Sequence, residues 1–169
     1  SDMPGYINLR SALEKEIANT REYLFYRKDS HWDNAGVTTA IRQVVQQVKP
    51  EIWKQSQVLY KGVETYYGDL LKLEGQSDSD EAPKYIIKRP EITPGPTTDF
   101  RPGDNIIVYQ HYMNTGPVGE LIEGKTLLLT DSFGVRALPS IVPYFADLTV
   151  MHFDLDTPQS YIPLIQDAD

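Results

Sequence analysis

The 169-residue chain contains no cysteine. Disulfides and thiolate metal sites are therefore excluded, and redox chemistry leaves no mark of a compartment on the sequence. No run of about 18 apolar residues exists, so nothing in the sequence reads as a membrane-crossing helix, and no signal-like apolar segment stands at the start. Positive charge is in deficit: 16 Lys and Arg face 24 Asp and Glu, for a net charge of −8. Nucleic acids and anionic lipid surfaces select for basic patches, so both are disfavoured as partners, while neutral or weakly charged ligands such as sugars remain open. What is present is ordinary for a soluble protein, with 40% hydrophobic and 24% charged residues in a chain long enough for one domain with a core.

Periodicity divides the chain. Leu9, Leu13 and Ile17 recur at helical spacing over 8–19, with Asn8 as N-cap. Residues 23–27 are short, aromatic-rich and extended. Val37, Ile41, Val44, Val45 and Val48 form one stripe, which predicts a helix over 34–48, capped by Asp33 and stopped by Pro50. A strand or hairpin is expected near 57–64, a short helix over 68–73 closed by Gly75, a polar loop over 76–83 and a strand over 84–88. The proline-rich stretch 89–105 reads as a loop, either a surface connection or a flap, before a strand over 106–113. Residues 125–131 (KTLLLTD) read as a buried strand, 133–146 as a helix broken by Pro139 and Pro143, and 148–155 as a second strand. Strand, helix and strand in about 30 residues predict a parallel βαβ unit, whose reactive groups gather at the carboxyl ends of its strands. The expected fold class is α/β: a parallel sheet with flanking helices, SGNH- or flavodoxin-like. It is expected to be one domain over 1–169, trimmed at both ends; at the C-terminal end no strand follows the terminal YIPLIQDAD.

Chemistry-bearing residues concentrate in two places. Asp29 and His31, at i and i+2, share a face of an extended backbone. An acid there can accept the Nδ1 proton, fix the tautomer and leave Nε2 as a general base. Ser132 stands at the predicted strand-to-helix turn, where a hydroxyl is presented outward and needs such a base to act as a nucleophile. The backbone N–H groups of that turn, at Ser132 and Gly134, can face an oxyanion, and Gly134 lets a substrate come close. The competing reading is that Asp131 or Ser132 merely caps the following helix.

These segments resemble a known family. YRKDSHWDNAG (26–36) is similar to the Asp/His block of the alginate O-acetyltransferase-like branch of the SGNH-hydrolase superfamily. Residues 127–153 resemble its serine block, and YYGDLLKLEG (66–75) resembles a GDL segment between the two. The three ordered blocks span about 23–155. Thr130 stands where the family carries a glycine. The resemblance implies Asp29 as orienting acid, His31 as base and Ser132 as acyl-accepting nucleophile, with no cofactor. It implies O-acetyl transfer to an exopolysaccharide or O-acetyl ester hydrolysis, in an extracytoplasmic place reached through an export signal not in this chain. Expected partners are a polysaccharide or acetylated sugar and a membrane-bound acetyl-donor protein, with no nucleic acid and no membrane insertion. A non-catalytic carbohydrate-binding or scaffold domain is the alternative from another class.

Further residues carry paired readings. Trp32 either stacks on a sugar ring or packs beneath the His31 loop. Arg136 either binds a carboxylate or carbonyl oxygen of the substrate or is a solvated helix residue. Asn114 offers an oxyanion donor or fills a turn. His111 and His152 are expected to be structural or surface groups. No metal is expected: Asp29, His31 and Asp33 could be drawn as ligands, but Asp33 is better used as a helix cap.

Overall fold

The computed structural model describes residues 5–99, 109–152 and 158–169. It divides into two compact units, 1–88 and 89–169.

The first unit begins with α1 (Leu9–Thr20), capped by the Asn8 side chain on the Ser11 N–H, and α2 (Asn34–Val48). Asp33 caps α2 through the N–H groups of Ala35 and Gly36, satisfying two donors that a helix start otherwise leaves orphaned. The apolar stripe of α2 is buried through Val37, Ile41 and Val45, and Arg42 reaches back to Glu16 of α1 at 2.6 Å. α2 packs on an antiparallel hairpin of β1 (Val58–Tyr66) and β2 (Asp80–Ile87), with α3 (Asp69–Leu73) in the connection. The loop expected over 76–83 is thus shorter than its composition suggests, since residues 80–83 join the strand.

The second unit holds a four-stranded sheet in the order β3-β4-β6-β5, made of β3 (Thr93–Asp99), β4 (Tyr109–Thr115), β5 (Ile122–Thr130) and β6 (Phe145–His152). Between β5 and β6 run α4 (Ser132–Ile141) and a turn of 3₁₀ helix, and α5 (Pro158–Asp167) follows β6. Leu148 and Val150 of β6 lie in the core with Leu138, Ile141 and Tyr144.

This architecture corrects the expected fold class. β5 and β6 do pair in parallel through α4, but β3 with β4, β4 with β6, and β1 with β2 all pair antiparallel. The sheets are mixed or antiparallel, not a parallel sheet with flanking helices of the SGNH or flavodoxin kind. One βαβ unit does not imply a parallel sheet, because side-chain periodicity reports which face of a strand is buried, not which way its neighbour runs. The proline-rich stretch 89–105 also departs from the expected loop. Residues 93–99 form strand β3 despite Pro94 and Pro96, because an edge strand tolerates a missing donor on its outer side. Residues 100–105 of the expected loop, 106–108 of the expected strand and 153–155 lie outside the described residues.

Candidate functional site

The segment 24–33 folds back on itself. The Tyr26 N–H donates to the His31 carbonyl (3.2 Å), the Asp33 N–H to the Leu24 carbonyl (3.1 Å), and Phe25 and Trp32 form an isolated bridge. At the tip Asp29 acts as a local clasp. Its Oδ1 accepts the His31 backbone N–H at 2.9 Å and stands 2.6 Å from His31 Nδ1. Its Oδ2 accepts the Asp69 N–H at 3.1 Å. The carboxylate is buried and fully engaged, so its position is fixed by three bonds rather than by one imidazole. With the Nδ1 proton donated to Asp29, neutral His31 carries its basic lone pair on Nε2. The expected pairing of acid and imidazole is therefore present, with the imidazole mostly covered at 13% side-chain exposure.

Asp69, at the start of α3, completes the cluster; the GDL segment that holds it carries no spacing signal that marks it as a partner of Asp29 and His31. The Ser30 N–H and hydroxyl both donate to its carboxylate, at 2.7 and 2.5 Å. The Ser30 hydroxyl is the main cause holding the Asp69 carboxyl below its ordinary range, with the Ser30 N–H and nearby His31 acting the same way. The approach depends on Gly68: a methyl group there would overlap the Lys28 carbonyl oxygen. Tyr66 secures the other side, its hydroxyl accepting the N–H groups of Arg27 (3.1 Å) and Lys28 (3.3 Å) while its ring lies 4.2 Å from that of Tyr26.

Asp29, His31 and Asp69 present ligand-type atoms within 4.8 Å of one another. Both oxygens of Asp29 and Nδ1 of His31 are already committed to each other and to backbone donors, so the cluster reads as a hydrogen-bonded relay. Asp33, the third ligand imagined from sequence, instead caps α2 in a buried position. Burial pushes its carboxyl up to about 6, against the N–H groups of Gly36 and Ala35, which favour the charged form.

In the second unit, Ser132 is the exposed first residue of α4. Asp131 is the N-cap, with Oδ1 accepting the N–H groups of Phe133 (2.9 Å) and Gly134 (3.3 Å). The capping alternative thus falls to Asp131, which takes the Gly134 donor expected to face an oxyanion. Gly134 has a packing reason of its own, since a methyl group there would collide with the Thr130 side chain. Thr130 and Gly134 act as a matched pair. Gly134→Ala is expected to destabilise the fold by about 1–3 kcal/mol, and Thr130→Gly to recover part of that in the same chain. Urea unfolding of the four members of the cycle checks this; simple additivity within about 0.5 kcal/mol would disprove the contact.

Asn114 is buried on β4, and its amide donates to the carbonyls of Val142 (3.0 Å) and Phe145 (2.9 Å). Both amide hydrogens tie β4 to the end of the crossover, which leaves none for an oxyanion. Arg136 is exposed on α4, one turn after Ser132, and Trp32 is half-buried. His111 pairs with Asp147 across β4 and β6 at 2.8 Å. The β5–β6 register sets His152 beside Thr130, at the same carboxyl edge from which the chain turns to Ser132.

No protein-family model and no curated protein matches the chain. Among solved structures, the chain is similar to the crystal structure of a DHHW family protein from Eubacterium siraeum DSM 15702, with a TM-score of 0.58 and 18% identity over 85% of this chain. That likeness is one of fold. The chain spans 55% of the length of that structure. The resemblance to the alginate O-acetyltransferase-like SGNH branch is overturned by this neighbour and by the mixed and antiparallel pairing of the strands. Short blocks around Asp29, His31 and Ser132 carried it, and such blocks do not encode the strand order that defines a fold.

Proposed function

We propose that the chain transfers or hydrolyses O-acetyl esters, with His31 as general base and Asp29 as the acid that orients it. The observation that carries this reading is the 2.6 Å contact between His31 Nδ1 and a buried Asp29 carboxylate that two backbone N–H groups hold in place. Such an acid fixes the tautomer and stabilises the imidazolium formed when Nε2 takes a proton. Ser132 receives the nucleophile's role on the strength of its exposed position at a strand-to-helix turn. In such a route a serine Oγ attacks the acetyl carbonyl and yields its proton to a general base. The leaving alcohol takes that proton, and the resulting acetyl-serine passes its acyl group to a sugar hydroxyl or to water.

The substrate in this proposal is an extracytoplasmic polysaccharide or an acetylated sugar, supplied in the transferase case by an acetyl-donor protein. The name DHHW, read in one-letter code, is Asp-His-His-Trp, and this chain carries Asp29-Ser30-His31-Trp32 in the dyad loop. A non-catalytic carbohydrate-binding domain is the second reading, favoured by the exposed Tyr23, Phe25 and Tyr60 rings on the unit that holds the dyad.

Turnover of p-nitrophenyl acetate, with and without an oligosaccharide acceptor, separates the two. The expected result is activity that disappears in both His31→Ala and Ser132→Ala while far-UV circular dichroism is unchanged. A folded wild-type chain that turns over no acetyl ester, or a Ser132→Ala variant as active as wild type, would refute the acetyl-serine route.

A further inference from the structure

Beside the dyad loop, the first unit carries a groove of about 500 Å³. This lies within the roughly 300–1,000 Å³ typical of small-ligand sites. One wall is the segment entering the loop, with Tyr23 and Phe25; the other is β1, with Tyr60 and Val63. Aromatic rings normally cover their faces, yet here Tyr23 is 71%, Tyr60 59% and Phe25 41% exposed.

β1 is bent to make this wall. Residues three apart on a strand point to opposite faces, but Tyr60 and Val63 line the same groove. The β1–β2 register shifts between them, where Gly62 takes a φ of +89°, a backbone region that glycine adopts freely. Bulges of this kind re-aim side chains and are frequent beside functional sites.

Between the rings stand hydrogen-bonding groups of both signs. Glu22 and Glu81 stand with Arg21 and Arg27; Arg27 is bridged to Asp80 at 2.7 Å, so the two glutamates face Arg21 alone, while Asp33 at the floor is buried and engaged as the cap of α2. Aromatic faces alternating with carboxylates and guanidinium groups suit a ligand with apolar C–H faces and a rim of hydroxyls. The excess of acid argues against uronic acids and other anionic sugars.

We propose that this groove binds a neutral sugar residue of a glycan chain, stacked on Tyr60 and Tyr23. Tyr26 and Arg27 line it and belong to the loop that ends in Asp29 and His31. The further step, that the groove presents an acetylated neighbour of that sugar to His31, rests on the acyl-transfer reading; the binding itself does not.

The test is isothermal titration of the full chain with cellohexaose, xylohexaose and chitohexaose, against an oligoguluronate of equal length. Saturable binding of at least one neutral hexasaccharide is expected, weakened about ten-fold or more in Tyr60→Ala and in Tyr23→Ala. Tyr60 also packs against the Tyr85 ring at 5.4 Å, so Tyr23→Ala decides the matter if Tyr60→Ala misfolds. The proposal is overturned if no neutral hexasaccharide binds, if the oligoguluronate binds more tightly, or if the folded variants bind as wild type does. Wild-type turnover of a chromogenic acetate without hexasaccharide binding would remove the groove and leave the catalytic reading. Binding without turnover would do the reverse.

Discussion

Asp29→Asn is expected to lower acetyl-ester turnover by roughly 10³–10⁴-fold and to destabilise the first unit by about 1–3 kcal/mol. Both effects follow from a carboxylate that accepts on each oxygen. An asparagine amide has one accepting and one donating end, so neither of its orientations fits. With the carbonyl toward His31, the Asn NH₂ faces the Asp69 N–H, donor against donor, in place of the present 3.1 Å bond. The imidazolium also loses its counter-charge. With the amide reversed, the NH₂ faces both the His31 N–H and Nδ1, where Asp29 now accepts at 2.9 and 2.6 Å. The ring must then accept on Nδ1 and carry its proton on Nε2, which removes the base. Imidazole ¹⁵N shifts report the tautomer, rates report the chemistry, and urea unfolding reports the stability. Wild-type rates in a folded Asp29→Asn variant would disprove the role of Asp29 as the acid that steers His31.

The second large effect is purely structural. Arg89→Ala is expected to destabilise the second unit by about 3–5 kcal/mol, enough to lower its melting temperature by roughly 10 °C or more. The Arg89 side chain is fully buried. Its guanidinium donates to the Pro143 carbonyl (3.0 Å), the Glu120 carbonyl (2.7 Å) and the Glu120 and Glu91 carboxylates (3.0 and 3.2 Å). It also lies 4.6 Å from the centre of the Tyr144 ring, whose hydroxyl burial pushes up to about 12. Truncation strands two carbonyls and two carboxylates at once, whereas Arg89→Lys keeps the charge but loses the planar fork, and is expected to recover only part of the stability. Thermal and urea unfolding of both variants measure this. A loss below about 1 kcal/mol for Arg89→Ala would show that the network adds little beyond its own desolvation cost.

Local features were legible wherever one segment decides its own structure. The caps at Asn8 and Asp33, the apolar stripe of α2, the short helix before Gly75 and the crossover from β5 through α4 to β6 all follow from spacing and capping chemistry. The Asp29–His31 contact belongs with them, since its partners are two residues apart. Asp69 was not readable as a partner because it arrives from 40 positions away, through a glycine that only the folded neighbour explains. Arg89 was hidden inside a proline-rich stretch whose composition says loop, although its guanidinium binds groups up to 54 positions distant.

The sequence by itself determined where helices start, which faces are apolar and which acid can steer which imidazole, because these depend on neighbours within a turn or a hairpin tip. Only the tertiary structure decided strand direction and order, the use of a proline-bearing segment as an edge strand, and the recruitment of Asp69 and Arg89. Those outcomes depend on backbone groups and buried charges finding partners far along the chain, and side-chain periodicity carries no record of who those partners are.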